Sequence, residues 1–252
     1  MTQNLLVDYL VMSIKIYDGQ ECLVKFLERM INFPLHDAEK IRSYYGLAEC
    51  YFFAGIKIHY DKCLLVLDMS GKGCRTCEEL NPGWDWYKFL HFWDKSITEP
   101  LKGSNYGDQK GQYQVHISRI DLACDVLDDE KMTVSSLQNY VRKNKFICKS
   151  NYHTCVEGNK EMAVYFGSPR SSRRLRIYDK ALEQALPDKK WVRFEIQLRD
   201  DNATSFYLNL SRTCKGDFSK CYYGMLHDYL RFITQPNNDM KNQARKKTCP
   251  FG

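Results

Sequence analysis

The chain has 252 residues, 44% hydrophobic and 13% aromatic, with only 7 prolines. That balance excludes a disordered chain and sets the length at the upper end of one domain or at two small ones. The net charge of +6, from 37 basic and 31 acidic residues, is mild and by itself only suggests an anionic partner. Its placement is more informative. Arg170, Arg173, Arg174, Arg176 and Lys180 crowd one short segment, and Arg245, Lys246 and Lys247 lie near the end. The 11 cysteines are odd in number and scattered from Cys22 to Cys249. No basic segment precedes an apolar run at the start, and no stretch reaches the roughly 18 to 20 apolar residues of a membrane span. Reduced cytoplasmic thiols and no membrane partner are the expectation. Cys74 and Cys77 form one CxxC, but a zinc site needs a second pair at suitable spacing, so they are read as small packing residues in a glycine-rich turn.

In chain order, residues 5–15 are apolar and β-rich, the first strand. Residues 20–31 carry Cys22, Leu23, Phe26, Leu27 and Met30 at helical spacing. Residues 51–60 and 62–70 read as two strands of a hairpin joined by Asp61 and Lys62. The turn SGKG and a capping-like Thr76 follow, and residues 84–97 make an aromatic-faced helix. The polar, glycine-rich segment 98–112 marks a boundary. Beyond it come a strand over 115–126, a helix over 133–143 capped by Thr133, strands over 162–168 and 173–183, a strand over 191–200 and a helix over 201–210. Strand, helix, hairpin and helix thus occur twice. The expected class is α+β, with pseudo-duplicated antiparallel sheets and flanking helices. The expected division is an N-terminal half over 1–105, a catalytic half over 106–235 and a basic tail over 236–252.

Strand residues two apart share a face. In RIDLACD, Asp121 and Asp125 therefore lie on one face with Ala123 between them. In WVRFEIQLR, Arg193, Glu195, Gln197 and Arg199 oppose an apolar row of Val192, Phe194, Ile196 and Leu198. In RRLRIYDK, Arg174, Arg176, Tyr178 and Lys180 share the polar face, while Leu175 and Ile177 turn inward. Side by side, these faces make a site. Asp121, Asp125 and Glu195 supply hard oxygen ligands suited to Mg²⁺ or Mn²⁺. Tyr178 is the nucleophile for a scissile phosphate, and Arg176 and Lys180 flank the phenol and favour phenolate. Arg174 and Arg176 have the geometry to hold phosphate oxygens, and Arg170, Arg173 and Arg193 extend the basic surface available to a phosphate backbone. Taken singly, each motif is what an ordinary solvated strand face presents. Their joint order carries the reading.

That order, from SGKGCR through RIDLACD and YFGSPRSSRRLRIYDKALEQ to WVRFEIQLR, resembles the Rep_trans family of rolling-circle replication initiators and conjugative-element relaxases. The resemblance runs from about residue 8 to about residue 210. It implies that Tyr178 is the nucleophile and that Asp121 and Glu195 are metal ligands; Asp125 comes from face geometry. It implies a site-specific DNA-nicking and strand-transfer enzyme working through a phosphotyrosyl intermediate with Mg²⁺ or Mn²⁺. The expected substrate is origin DNA, single-stranded at the nick, with a host helicase and a second copy of the chain as further partners. The expected C-terminal helical part stops short at KKTCPFG. No His-hydrophobe-His pair occurs, which sets aside the two-histidine nickases. A DNA-binding protein of the same fold that does not cleave is the alternative. A third is a metal-dependent phosphodiesterase with water as nucleophile.

Overall fold

The first apolar run forms the long strand β1, Thr2–Ile16, whose alternation buries Leu10, Met12 and Ile14. The structure, a computed structural model, describes residues 2–16, 23–94, 113–186 and 188–233. After β1 come helix α1 (Leu23–Met30) and the meander β2 (Glu39–Ile41), β3 (Glu49–Phe53), β4 (Ile56–Tyr60) and β5 (Leu64–Met69). Helices α2 (Gly71–Leu80) and α3 (Trp86–Phe92) follow. The second half opens on β6 (Tyr113–Leu127), then α4 (Val134–Arg142), β7 (Phe146–Cys148), β8 (His153–Glu157), β9 (Met162–Phe166) and β10 (Arg173–Asp179). It closes with α5 (Lys180–Glu183), β11 (Trp191–Arg199), α6 (Asp201–Arg212), α7 (Phe218–Tyr229) and β12 (Leu230–Phe232).

Two units emerge. The first holds the described residues of Val7–Asp121 and Leu198–Gly216; the second holds those of Met1–Leu6, Leu122–Gln197 and Asp217–Gly252. The long strands β1, β6 and β11 contribute to both. In the first unit the strand order is β2-β3-β4-β5-β1, and in the second β6-β11-β10-β9-β8, with β12 paired to β7 separately. Each unit is therefore a long strand, a helix and a four-strand meander whose last strand returns beside the long one. That is the pseudo-duplicated antiparallel α+β pattern expected. The anticipated boundary 98–112 and tail 236–252 lie outside the described residues, as do residues 95–97 of the expected aromatic helix.

The first unit's core joins Leu10, Met12 and Ile14 to Ile56, Ile58, Leu65, Leu67 and Met69, with Leu27 of α1 and Cys74 and Cys77 of α2 also buried. Each such aliphatic contributes about 1.5–3 kcal/mol by leaving water. Two local expectations are corrected here. The run 51–60 is not one strand, because Ala54 and Gly55 adopt positive φ (+43° and +92°) and fold it back as β3 and β4. The β4–β5 turn then runs through Asp61, whose Oδ1 accepts from the backbone N–H of Cys63 and Leu64, both at 2.9 Å. Nor is SGKG a turn. Ser70 caps α2 by accepting from Gly73 N at 3.3 Å, and a Cβ at Gly73 would sit 2.2 Å from the Gly55 carbonyl oxygen. Thr76 lies inside α2 and donates to the Ala54 carbonyl at 3.0 Å. Cys74 and Cys77 are buried helix residues, and burial pushes the Cys77 thiol up to about 12.

In the second unit Thr133 caps α4 as expected, accepting from Ser136 N at 3.2 Å. That helix packs on β9 and β10, and its Gln138 donates to the carbonyls of Val156 (3.0 Å) and Ala163 (3.2 Å). Tyr222 of α7 is fully buried and donates to the Phe194 carbonyl at 2.9 Å, which holds the apolar face of β11 against α7. No helix among the described residues is long and apolar enough to cross a membrane.

Candidate active site

In β10 alternation buries Leu175 and Ile177 completely and leaves Arg174 and Arg176 on the opposite face. Tyr178 continues that polar face, yet it is only 2% exposed. Its partner across β9 is Ala163, a residue small enough to leave room for a ring. The phenol Oη donates to Glu195 Oε2 at 3.0 Å. The Arg176 guanidinium lies 3.7 Å from the centre of the Tyr178 ring, and Lys180 Nζ lies 5.6 Å from it. The nucleophile expected from strand geometry and the carboxylate expected from its neighbour are thus brought into direct contact.

The strand does not continue to residue 183. It ends at Asp179, whose Oδ1 caps the short helix α5 by accepting from Leu182 N at 2.8 Å. That turn makes Lys180 the first helical residue and returns Glu183 toward the strand, where it pairs with both Lys180 and Arg176. Arg176 reaches Glu183 Oε1 at 3.2 Å and Glu161 at 3.7 Å. Tyr165 donates to Glu161, and Arg174 stacks 4.4 Å from the Tyr165 ring centre. Glu161, Tyr165 and Glu183 were not expected from the sequence. Asp179 three residues before Leu182 is the capping pattern that marks Glu183 as helical.

The expectation that neighbouring cations favour phenolate is reversed. Burial is the largest influence on Tyr178 and raises its pKa above the ordinary phenol value; the Glu195 and Glu183 carboxylates add to this, and Arg193 and Arg176 only partly oppose it. The phenol is protonated at rest, with its proton directed at Glu195. Glu183 moves the other way: burial raises it, but its bond to Lys180 and the nearby Arg176 charge outweigh burial and lower it.

Asp125 and Arg193 occupy different roles from those expected. Arg193 Nε and Nη2 contact Asp125 Oδ1 (2.6 Å) and Oδ2 (2.8 Å), and the pair is 6% and 4% exposed. With both oxygens engaged by a buried guanidinium, Asp125 is poorly suited to ligate a cation. Arg193 is too deep to touch a DNA backbone. Asp121 belongs to the first unit, 2% exposed, where Arg119 grips both its oxygens, with Nε at 2.9 and 3.1 Å. Arg119 stands two residues before Asp121 on the same strand, so this partner was visible to the alternation rule. Among the described residues no group of three His, Cys, Asp or Glu side chains is arranged to hold a metal. Of the remaining arginines, Arg170 is exposed in the turn after β9. Arg173 lies 3.7 Å from Asp228 and 5.6 Å from the centre of the Tyr229 ring.

Comparison with known proteins bears on the family and the fold. Residues 115–250 match a family model described as replication initiation factor, and residues 4–92 match one described as rolling circle replication initiation protein N-terminal domain. A curated relative, the putative DNA relaxase NicK of Bacillus subtilis (strain 168), is 26% identical over 256 residues. The match covers 92% of this chain and 65% of that relative's length. Among solved structures, the rolling circle replication initiator protein from Geobacillus stearothermophilus superposes with a TM-score of 0.76 at 22% identity. That match covers 99% of this chain and 94% of the other, and establishes the shared fold. Since the replication initiation factor model matches more than half of the 252 residues, the chain belongs to the replication initiation factor family.

Proposed function

We propose that this chain nicks one strand of an origin DNA and later rejoins it, initiating rolling-circle replication of a plasmid or conjugative element through a covalent Tyr178 intermediate. The observation that carries the reading is the 3.0 Å contact from Tyr178 Oη to Glu195 Oε2, with Arg176 stacked on the ring. Glu195 acts as general base. As Tyr178 Oη attacks phosphorus, its proton passes to Glu195, a P–O bond of the strand breaks, and the leaving oxygen takes a proton from water to depart as a free hydroxyl. A phosphotyrosyl bond replaces the lost ester, so rejoining needs no nucleotide cofactor. Arg176, stacked on the Tyr178 ring and paired with Glu183 at 3.2 Å and Glu161 at 3.7 Å, is the guanidinium beside the nucleophile that can exchange these carboxylates for an incoming phosphate. Lys180 adds positive charge beside the ring, while Arg170, Arg173 and Arg174 track the backbone on either side.

A divalent cation, Mg²⁺ or Mn²⁺, belongs to this reading through the chemistry of the carboxylates. Asp125 does not fit as a ligand, because Arg193 takes both its oxygens. Asp121 is held at both oxygens as well, but by Arg119, a partner more exposed than Arg193 that has room to turn away, so Asp121 and Glu195 are the acids to test, each in its own unit. When bound, the cation offsets charge on the non-bridging phosphate oxygens. A host helicase and a second copy of the chain are the further partners in this reading, and the compartment is the cytoplasm.

A second reading, a DNA-binding protein of the same fold that does not cleave, draws on one observation: Tyr178 is only 2% exposed. One experiment separates the two. Incubation with supercoiled DNA carrying the candidate origin and Mn²⁺ yields nicked circles and a denaturant-stable protein–DNA adduct under the first reading, and bound but uncut DNA under the second.

A further inference from the structure

The first unit carries an aromatic cluster that the cleavage chemistry does not use. Tyr44 and Tyr45 lie in the segment between β2 and β3, 57% and 42% exposed, in a fold that buries most of its large apolar side chains. Their rings are 4.8 Å apart, and each meets the edge or face of His59 (4.5 and 4.8 Å). His59 is fully buried and fixed by Ser43 Oγ at 3.1 Å, so it forms a rigid floor. Both tyrosine hydroxyls converge on Asp68 Oδ2, Tyr45 at 3.3 Å, and Asp68 is 2% exposed on β5. The rings are therefore held from beneath by a buried carboxylate, with face area left open to solvent. Lys57, opposite Asp68 in the β4–β5 register, places Nζ 3.3 Å from Tyr44 Oη and 5.2 Å from the ring centre. Among the described residues it pairs with no carboxylate.

A buried carboxylate needs hydrogen-bond donors, and the hydroxyls of Tyr44, Tyr45 and Tyr9 supply them. That requirement does not call for two exposed ring faces beside an ammonium group. Immobilised aromatics with a neighbouring cation are what single-stranded nucleic acid uses: bases stack on the rings and a phosphate meets the charge. Fixing the rings in advance lowers the entropy lost on binding. Position supports the same occupant. Asp68 bonds Tyr9, the Arg119 guanidinium lies 4.1 Å from the Tyr9 ring centre, and Arg119 holds Asp121. The cluster thus connects, within one unit, to a carboxylate of the expected cleavage chemistry.

We propose that Tyr44, Tyr45 and Lys57 form a stacking platform for unpaired bases of single-stranded DNA, a second binding site on the first unit. The proposal rests on the reading that single-stranded DNA is a substrate, and its test is independent of cleavage. All measurements use a Tyr178→Phe background and fluorescence anisotropy of two oligonucleotides of equal length, one with bases and one abasic. Tyr44→Ala/Tyr45→Ala is expected to weaken binding of the base-containing strand by about tenfold, the loss of roughly one stacked base, and to leave the abasic strand unchanged. Tyr44→Phe/Tyr45→Phe keeps the rings and should keep the preference for bases. That pair also separates stacking from folding, since both variants lose the Asp68 bonds. Lys57→Ala should weaken both strands and lower the salt slope by about 0.7. Equal binding of both strands by parent and alanine variant overturns the platform, as does an equal loss on both. Base-dependent binding in this background, together with a parent chain carrying Tyr178 that never nicks origin DNA, leaves the platform standing and overturns the cleavage reading instead.

Discussion

Replacing Tyr178 with Phe removes a single oxygen and tests the catalytic reading directly. The ring stays where it is, 2% exposed, beneath an Arg176 guanidinium 3.7 Å from its centre, so packing and the cation–π contact survive. What is lost is one hydrogen bond of 3.0 Å to Glu195. A bond to a charged acceptor contributes about 1.5–3 kcal/mol net, and Glu195 is half-buried, so water can replace part of it; about 1–2 kcal/mol is expected. For a chain of this size that lowers Tm by about 2–8 °C, leaving the fold intact at assay temperature. Nicking, by contrast, should fall to background, and the denaturant-stable adduct should disappear while DNA binding persists. The assay is cleavage of supercoiled origin DNA, a thermal melt of the same preparation, and peptide mapping of the parent's adduct to the RIYDK segment. Tyr165→Phe is the matched control, since Tyr165, on the neighbouring strand β9, bonds Glu161 rather than Glu195, and the variant should still form the adduct. A Tyr178→Phe chain that forms the adduct at the parent rate, or an adduct on another tyrosine, refutes the strand-face reasoning.

The remaining expectations follow from the same contacts. Because the Tyr178 pKa is raised rather than lowered, cleavage should reach a plateau across neutral pH where Glu195 is ionised. Glu195→Gln should be crippled there and recover partially only as pH rises toward the phenolate, and an unchanged pH–rate profile would remove Glu195 as base. The same sign applies to stability. A phenol raised on folding favours the native state below its ordinary value near ~10 and loses that contribution as pH climbs past it, so Tyr178→Phe should blunt alkaline unfolding followed by circular dichroism. Arg193→Ala should cost about 3–5 kcal/mol in denaturant unfolding by stranding buried Asp125, and adding Asp125→Ala should restore part of it; an additive double variant would mean the ion pair does not couple. Arg170→Ala and Arg174→Ala should each lower the salt slope of DNA binding by about 0.7–0.9, whereas unchanged slopes would make them ordinary surface arginines. Asp121→Asn and Glu195→Gln should each reduce Mn²⁺ binding measured calorimetrically; a variant that binds Mn²⁺ as the parent does is not a ligand mutant.

Period-two alternation by itself determined which face of β6, β10 and β11 is polar, and so placed Tyr178 and Glu195 where they could meet. It also determined the repeated α+β pattern, because a long strand, a helix and a meander are each encoded within a few residues of one another. The Thr133 cap was equally local. Turns hidden inside apolar runs were not legible in this way: Ala54–Gly55 breaks a continuous hydrophobic stretch, and Asp179 ends a strand whose polar pattern runs on into α5. Partner choice lay further out of reach. Alternation shows that Asp125 and Arg193 present polar faces, but only the register of β6 against β11 decides that they pair and bury each other's charge. The same holds for the phenol. Sequence shows cations two residues to either side of Tyr178, whereas its protonation depends on the depth of the ring and on a carboxylate 17 residues away. Desolvation and cross-strand pairing are properties of the assembled sheet, and no local pattern of residue types contains them.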